Sequence, residues 1–382
     1  MAMRSLHSSF EIAERKVGAG APTYVIAEAG ANHNRDIAIA RELIDVAAEA
    51  GADAVKFQVY SGKDLYSSKT PRFRYLEDIS GKPPSELLED IALPRQWIGD
   101  LAGHARSRGI HFFATPFDAD AIRELCEAGV PAMKIASFEL VDLELIAAAA
   151  ATGLPLILSC GMASYGEIED ALDAAQSGGG GSGEDEDDGG DDSSSDSNDA
   201  DSGSSRSGTQ VALLRCASLY PSPPEIMNLR AMGTMRAAFG VPVGLSDHTE
   251  GIAVALGARG LGMELLEKHF TLDRAMPGPD HPFAIEPDQL RELVAGIRAI
   301  EQALGNGRLE GPSDPEAQEM YRLARRSLIA ACDIPAGTQI AREHLVVKRP
   351  GYGIAPKEID RVVGRVARVD IEADDVLTWE QV

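Results

Sequence analysis

The chain has 382 residues, of which 44 % are hydrophobic, and carries a formal net charge of −24. That length holds one barrel of about 250 residues and one small further domain. The negative balance speaks against nucleic acid, whose phosphates need a positive face, and no apolar run approaches the ~20 residues that span a bilayer.

The N-terminal stretch MAMRSLHSSFEIAERKVG is too polar for the apolar core of a signal peptide. Cys126, Cys160, Cys216 and Cys332 lie far apart without a CxxC pair, which fits reduced thiols in a cytoplasmic protein better than a disulfide framework. Lysine supplies only 9 of the 36 basic residues, and an acidic, lysine-poor surface suits a halophilic cytoplasm as well as it suits an ordinary acidic protein.

In chain order, eight short apolar runs read as strands: YVIAEAGAN (24–32), AVKFQVY (54–60), HFFATPF (111–117), MKIASFE (133–139), PLILSCGM (155–162), VALLRCASLYP (211–221), VPVGLSDHT (241–249) and MELLEKHFT (263–271). Between most of them lie segments of helical period such as IARELIDVAAEAGA and LRELVAGIRAIEQALG. Eight strand–helix repeats predict an α/β fold, a closed (β/α)₈ TIM barrel over residues 1–307; an open doubly wound sheet is the alternative. Each run ends in polar or charged residues, where a barrel opens its active face.

Two intervals are long. Gln58 to Thr115 spans 57 residues, leaving room for an excursion over the mouth at 61–93. Ser159 to Ser218 spans 59, and removing the 32 residues of 177–208 restores a normal repeat of 27. That segment, SGGGGSGEDEDDGGDDSSSDSNDADSGSSRSG, holds ten acids, one Arg and a single Ala as its only apolar residue, and reads as a disordered acidic insertion in a helix-to-strand loop on the barrel floor. After Gly307 a polar connector (308–326) leads to short strands with Gly and Pro turns, a compact β-rich domain over 327–382 that needs a surface to dock on.

The strongest chemical signal is SDH at 246–248 with EKHF at 267–270. His248 and His269 end neighbouring strands, and two imidazoles side by side suit a divalent transition ion. Glu267 shares a strand face with His269 and is a weaker third-ligand candidate; a lone His is more often a satisfied core residue. Lys56 and Lys134 sit within apolar strands, where a buried ammonium needs an anion. Either an internal salt bridge to Glu28 or Glu139 meets that need, or a bound substrate does. Thr115, Ser137, Ser159, Ser218 and Ser246 add hydroxyls around the same rim, so the set describes a pocket for a small phosphorylated or carboxylated anion.

At this point the residues resemble a known family. AEAGANHN, VKFQ, ATPFD, KIASFE, ILSCGMAS, CASLYPSPPE, GLSDHT, EKHFTLDRAMPGPDH and VKRPGYGI are similar, in order, to the motifs of the sialic acid (nonulosonic acid) synthases across about 24–382, the acidic insertion apart. The resemblance implies a TIM barrel followed by an antifreeze-like SAF domain of the β-clip type. It implies that phosphoenolpyruvate is held by Lys56, Thr115, Lys134, Ser137, Ser159 and Ser246. His248 and His269 would bind Mn²⁺, with Mg²⁺ or Co²⁺ as alternatives. Gln58, Ser218, Tyr220, Asp280 and Arg349 would face the amino sugar, with Glu139 or Glu28 as proton carrier, Glu139 preferred because it follows Lys134 and Ser137. Arg349 would reach the partner's barrel in a domain-swapped homodimer.

Departures from the pattern bear on the substrate. Ser218 stands where some N-acetylneuraminate synthases have Asn, and Cys160 where STGM is common. KIASFE and PPEIMNLR look closer to the pseudaminate and spore-coat branches, MPGPDH to the sialic and legionaminic ones. The expected reaction condenses phosphoenolpyruvate with the open-chain aldehyde of an N-acetylated hexosamine such as N-acetylmannosamine, releasing phosphate by C–O cleavage. Alternatives are another phosphoenolpyruvate-dependent synthase, a class II-type aldolase, or a catalytically inactive sugar-binding relative.

Overall fold

A computed structural model describes residues 6–71, 82–179 and 209–382, and divides into two compact units at Leu304/Gly305. The first unit opens with a hairpin, β1 (Ser9–Ile12) and β2 (Arg15–Gly18), followed by eight parallel strands. These are β3 (Tyr24–Gly30), β4 (Ala54–Val59), β5 (His111–Pro116), β6 (Met133–Ile135), β7 (Leu156–Ser159), β8 (Val211–Arg215), β9 (Val243–Asp247) and β10 (Leu265–His269). Their order, β5-β4-β3-β10-β9-β8-β7-β6, returns the last-formed strand to the first, and β5 lies beside β6 at the seam. This is the TIM barrel, not the open sheet.

The strands form where the apolar runs stand, but each stops one to six residues before its run ends. Where the remainder is long it is loop, as at Ser137 and Glu139 after β6 or Ser218 and Tyr220 after β8. Alternation does the sorting. On β4, Lys56 and Gln58 point inward while Phe57 packs outward beside Phe112 with ring centroids 5.7 Å apart. Four of the surrounding helices start at acidic or hydroxyl caps: Asp36 accepts from Ala38 N, Asp118 from Ala121 N, Asp142 from Leu145 N, and Ser164 closes a capping box with Glu167. The long helix Pro287–Leu304 buries Leu290, Leu293, Val294 and Ile297, the spacing of one helical face.

The hairpin is an element the sequence reading did not find. It buries Phe10, Ile12 and Val17 with the barrel core. Arg15 pairs with Asp53, at the N-terminal edge of β4, and Asp53 also accepts from Val25 N at 2.7 Å and Arg298 at 3.1 Å. The barrel floor is thereby closed on the side away from the strand C-termini.

The helix Tyr165–Gly178 includes the first two residues of the 177–208 segment. Residues 180–208 lie outside the described residues, but their flanks do not: a Cβ on Gly179 would lie 2.6 Å from Thr209 Oγ1. Of the excursion at 61–93, residues 72–81 lie outside the described residues, and the short helices Gly62–Leu65 and Pro84–Ile91 flank them. Among the described residues no helix is long and apolar enough to cross a membrane.

The second unit spans 305–382. Its antiparallel pair β11 (Ser327–Ala330) and β12 (Leu345–Lys348) and several isolated bridges enclose a core of Leu328, Ile334, Ile340, Leu345, Ile354 and Leu377. The polar connector belongs to this unit and holds two short helices, Asp314–Gln318 and Met320–Leu323.

Candidate active site

Because all eight barrel strands run parallel, their C-terminal ends share one face, and the predicted barrel residues lie in the strands or in the loops that follow their C-terminal ends. Glu28 comes from β3, Lys56 and Gln58 from β4, Thr115 from β5, and Lys134 from β6 with Ser137 and Glu139 behind it. Ser159 ends β7; Ser218 and Tyr220 follow β8; Ser246 and His248 come from the end of β9; His269 ends β10 and Asp280 lies in the loop beyond.

The centre of the site is an ionic network. Lys56 Nζ lies 2.8 Å from Glu28 Oε2 and donates to Thr115 Oγ1 at 3.1 Å. Gln58 Nε2 donates to Glu28 Oε1 at 2.8 Å. Glu267 sits between the two lysines, its Oε2 3.7 Å from Lys56 and 3.9 Å from Lys134, while its Oε1 accepts from Ser246 Oγ at 2.9 Å. Lys134 Nζ also donates to the carbonyl of Ile135 at 2.8 Å. The internal salt bridge foreseen for Lys56 is real, and for Lys134 the partner is Glu267, not Glu28 or Glu139. Glu267 is thus turned to the ammoniums and hydroxyl, and does not stand as a third metal ligand.

Burial and charge decide the protonation states. Burial disfavours the Lys56 ammonium, but Glu267 and Glu28 outweigh it and its pKa is raised; for Lys134 burial prevails over Glu267 and the pKa is lowered. Burial pushes Glu28 up against the opposing pull of Lys56, whereas Glu267 is held down because Lys134 and Lys56 overcome its burial. Glu139 is pushed up to about 7 by burial, only partly offset by Lys134, and its Oε2 is buried without a hydrogen-bond partner.

Beside the network stand the two imidazoles, ring centroids 5.4 Å apart. Burial lowers His248 to about 4 and takes His269 well below the ordinary histidine value, so both are neutral near pH 7. His248 Nδ1 spends its proton on the carbonyl of Ala217 at 2.7 Å, which leaves the lone pair on Nε2. His269 Nδ1 is buried with no hydrogen-bond partner, and the nearest acid, Asp280 Oδ2, is 3.8 Å away. A neutral imidazole oriented by a backbone carbonyl, next to an orphaned ring nitrogen, fits a two-histidine metal site. Among the described residues no group of three or more His, Cys, Asp or Glu is arranged around one ion, so further ligands would be water or substrate.

A wall completes the mouth. The Tyr220 ring lies 4.3 Å from His248 and 5.5 Å from Phe283, centroid to centroid. Ser137 Oγ and Ser218 Oγ share a hydrogen bond of 2.8 Å, and Ser159 Oγ is buried without a partner. Gly30, at φ +52°, lets Asp280 approach: a Cβ there would lie 3.0 Å from Asp280 Oδ2. Burial raises Asp280 to about 6, against a bond from the Ala31 backbone.

Arg349 lies in the second unit, exposed, directly after β12. Sequence reasoning missed Glu267 as the hub of the lysine network and Phe283 as part of the aromatic wall. The EKH alternation already placed Glu267 inward, but its cross-barrel partners are visible only in three dimensions.

The NeuB family pattern matches residues 43–309, and the SAF domain pattern residues 325–382. The chain belongs to the NeuB family. The N,N'-diacetyllegionaminic acid synthase of Legionella pneumophila is 36 % identical over 96 % of each chain, and an uncharacterised protein of Methanocaldococcus jannaschii is 36 % identical over 97 % of each. Among solved structures, the N-acetylneuraminic acid synthetase of Leptospira borgpetersenii, crystallised with citrate, superposes with a TM-score of 0.67 at 32 % identity, covering 84 % of this chain and 97 % of the other. Relatives also include pseudaminic acid synthases, so this NeuB chain stands among the nonulosonic acid synthases, sugar-acid-forming enzymes with a TIM barrel and a SAF domain.

Proposed function

We propose that this chain condenses phosphoenolpyruvate with the open-chain aldehyde of an N-acetylated amino sugar, giving a nine-carbon 2-keto-3-deoxy acid and phosphate. The observation that carries the reading is the pairing, at one barrel mouth, of two buried lysines among hydroxyls with two neutral imidazoles. Lys56, Lys134, Thr115, Ser137, Ser159 and Ser246 take the phosphate and carboxylate of phosphoenolpyruvate. Gln58, Ser218, Tyr220 and Asp280 face the sugar, and Arg349 of a second copy orients its acetamido group.

A divalent ion held by His248 and His269, Mn²⁺ by preference, would act as a Lewis acid on the aldehyde oxygen. C3 of enolpyruvate attacks the aldehyde carbon, and the electron pair of the C=O bond goes to that oxygen, which takes up a proton. Water then adds at C2. Glu139, whose buried Oε2 has no hydrogen-bond partner and which feels the charge of Lys134, accepts the proton of that water. The C2–O bond to phosphate breaks, the phosphate leaves with the bond pair, and the C2 hydroxyl gives up its proton to the departing phosphate as the ketone forms.

A second observation supports the reading as a homodimer. Phe138, Val141, Met162 and Leu219, on the loops after β6, β7 and β8 at the mouth end of the barrel, are each more than half exposed, and covering such apolar side chains would favour a second copy. The test of the reaction incubates chelated, Mn²⁺-reloaded protein with phosphoenolpyruvate and a panel of N-acetyl and diacetamido hexoses. Phosphate and keto acid should appear in equal amounts with at least one sugar. Turnover without phosphate release would indicate an aldolase, and metal-dependent sugar binding without turnover an inactive relative.

A further inference from the structure

Behind the two imidazoles, on the opposite face of β9 and β10, lies a buried ion pair that the reaction does not use. Lys268 Nζ is 3.0 Å from Asp247 Oδ2, and the side chains are 2 % and 0 % exposed. Asp247 Oδ1 accepts from Thr249 N at 3.0 Å and from Thr249 Oγ1 at 2.8 Å, and Lys268 also donates to the carbonyl of Thr249. Lys268 and Asp247 are register partners in the parallel ladder, as are Glu267 and Ser246.

The chain order gives this arrangement its consequence. His248 sits between Asp247 and Thr249, and both of those are gripped by Lys268. His269 is the residue after Lys268. One ammonium therefore ties together the two backbone segments that carry the two imidazoles. A buried ion pair is weak evidence for stability, since apolar replacements of similar volume are often neutral, so its presence here calls for a geometric reason.

We infer that Lys268, with Asp247 and Thr249, is a positioning group that sets the spacing of His248 and His269 for a divalent cation. The inference rests on the metal reading above. The pair touches no substrate and acts through the imidazoles, as outer-shell partners of metal ligands do.

The test uses full-length protein and Co²⁺, whose d–d absorption reports ligand geometry. Wild type and the double variant Asp247→Asn/Lys268→Met, which removes both charges but keeps an acceptor for Thr249, are titrated alongside thermal melts. Phosphoenolpyruvate affinity without metal is measured in parallel. The variant should melt within a few degrees of wild type and keep its phosphoenolpyruvate affinity, since Lys56 and Lys134 are intact. It should bind Co²⁺ at least about tenfold more weakly, with an altered spectrum. Thr249→Val, which keeps both charges and removes only the hydroxyl bracing Asp247, should move Co²⁺ affinity in the same direction by a smaller factor and decides the matter if the double variant does not fold. Unchanged Co²⁺ affinity and spectrum in a folded variant would overturn the positioning role alone. Absence of Co²⁺ binding by wild type would overturn the metal reading and this inference with it.

Discussion

Lys134 and Glu139 carry the sharpest residue-scale expectations. Lys134 makes one carbonyl bond and a 3.9 Å approach to Glu267, so little of the fold depends on its charge. Lys134→Met should raise KM for phosphoenolpyruvate by tenfold or more through loss of a charge-assisted contact, with KM for the sugar nearly unchanged. An unchanged KM for phosphoenolpyruvate would make Lys134 structural. Glu139 titrates at about 7 in the fold. As the base for the attacking water it must be ionised, so kcat should fall as pH drops below about 7, and Glu139→Gln should flatten that limb while lowering kcat by about 10²–10⁴. The same raised pKa has a stability consequence. Between about 4.5 and 7 the folded chain holds a proton that the unfolded chain has released, so stability declines as pH rises through that window. Melting temperatures of the Gln variant should lose Glu139's share of this slope, while Glu28 and Asp280, also raised by burial, keep theirs. Which residue types face the mouth was legible from alternation along AVKFQV and EKH; that Glu267, across the barrel, pairs with both lysines was not, because strand alternation says nothing about cross-barrel partners.

At the scale of elements, all eight barrel strands were readable because parallel strands buried on both faces are nearly continuous apolar runs. Their ends were overestimated, since residues such as His248 and Thr249 are buried for the sake of the site without joining the ladder. The β1–β2 hairpin escaped notice because only Phe10, Ile12 and Val17 of its eight strand residues and turn carry an apolar signal strong enough to count. The acidic insertion is an element-scale prediction. Its flanks, Gly179 and Thr209, are already in contact, and they precede β8 on the floor, at the far end of the strand from Ser218. Deleting 180–208 should leave kcat within about twofold and the melting temperature within a few degrees, because shortening a surface loop changes closure entropy only slightly. A large fall in kcat in a folded deletion variant would place the insertion at the mouth instead.

For the whole molecule, the two-unit division follows from two separate apolar cores, one of barrel size and one small. The composition change after Gly307 signalled it. Whether Arg349 serves its own barrel or, as proposed, a partner's is a question of assembly. In a C₂ dimer with exchanged arms, mixing Arg349→Ala chains with Lys134→Met chains should restore activity in purified mixed dimers assayed at phosphoenolpyruvate well below the KM of Lys134→Met. One of the two mouths then combines an intact Lys134 with an intact Arg349. If Arg349 acts in its own chain, every mouth keeps one defect and no activity returns.

The chemistry itself is tested most directly by phosphoenolpyruvate labelled with ¹⁸O at the bridging oxygen between C2 and phosphorus, turned over with an amino sugar that the panel identifies. Attack of water at C2 with C–O cleavage predicts that the label leaves entirely with the phosphate and that the keto acid takes its C2 oxygen from solvent. Label retained in the keto acid, with unlabelled phosphate, would mean cleavage at phosphorus and would contradict the mechanism built on Glu139 and the two lysines.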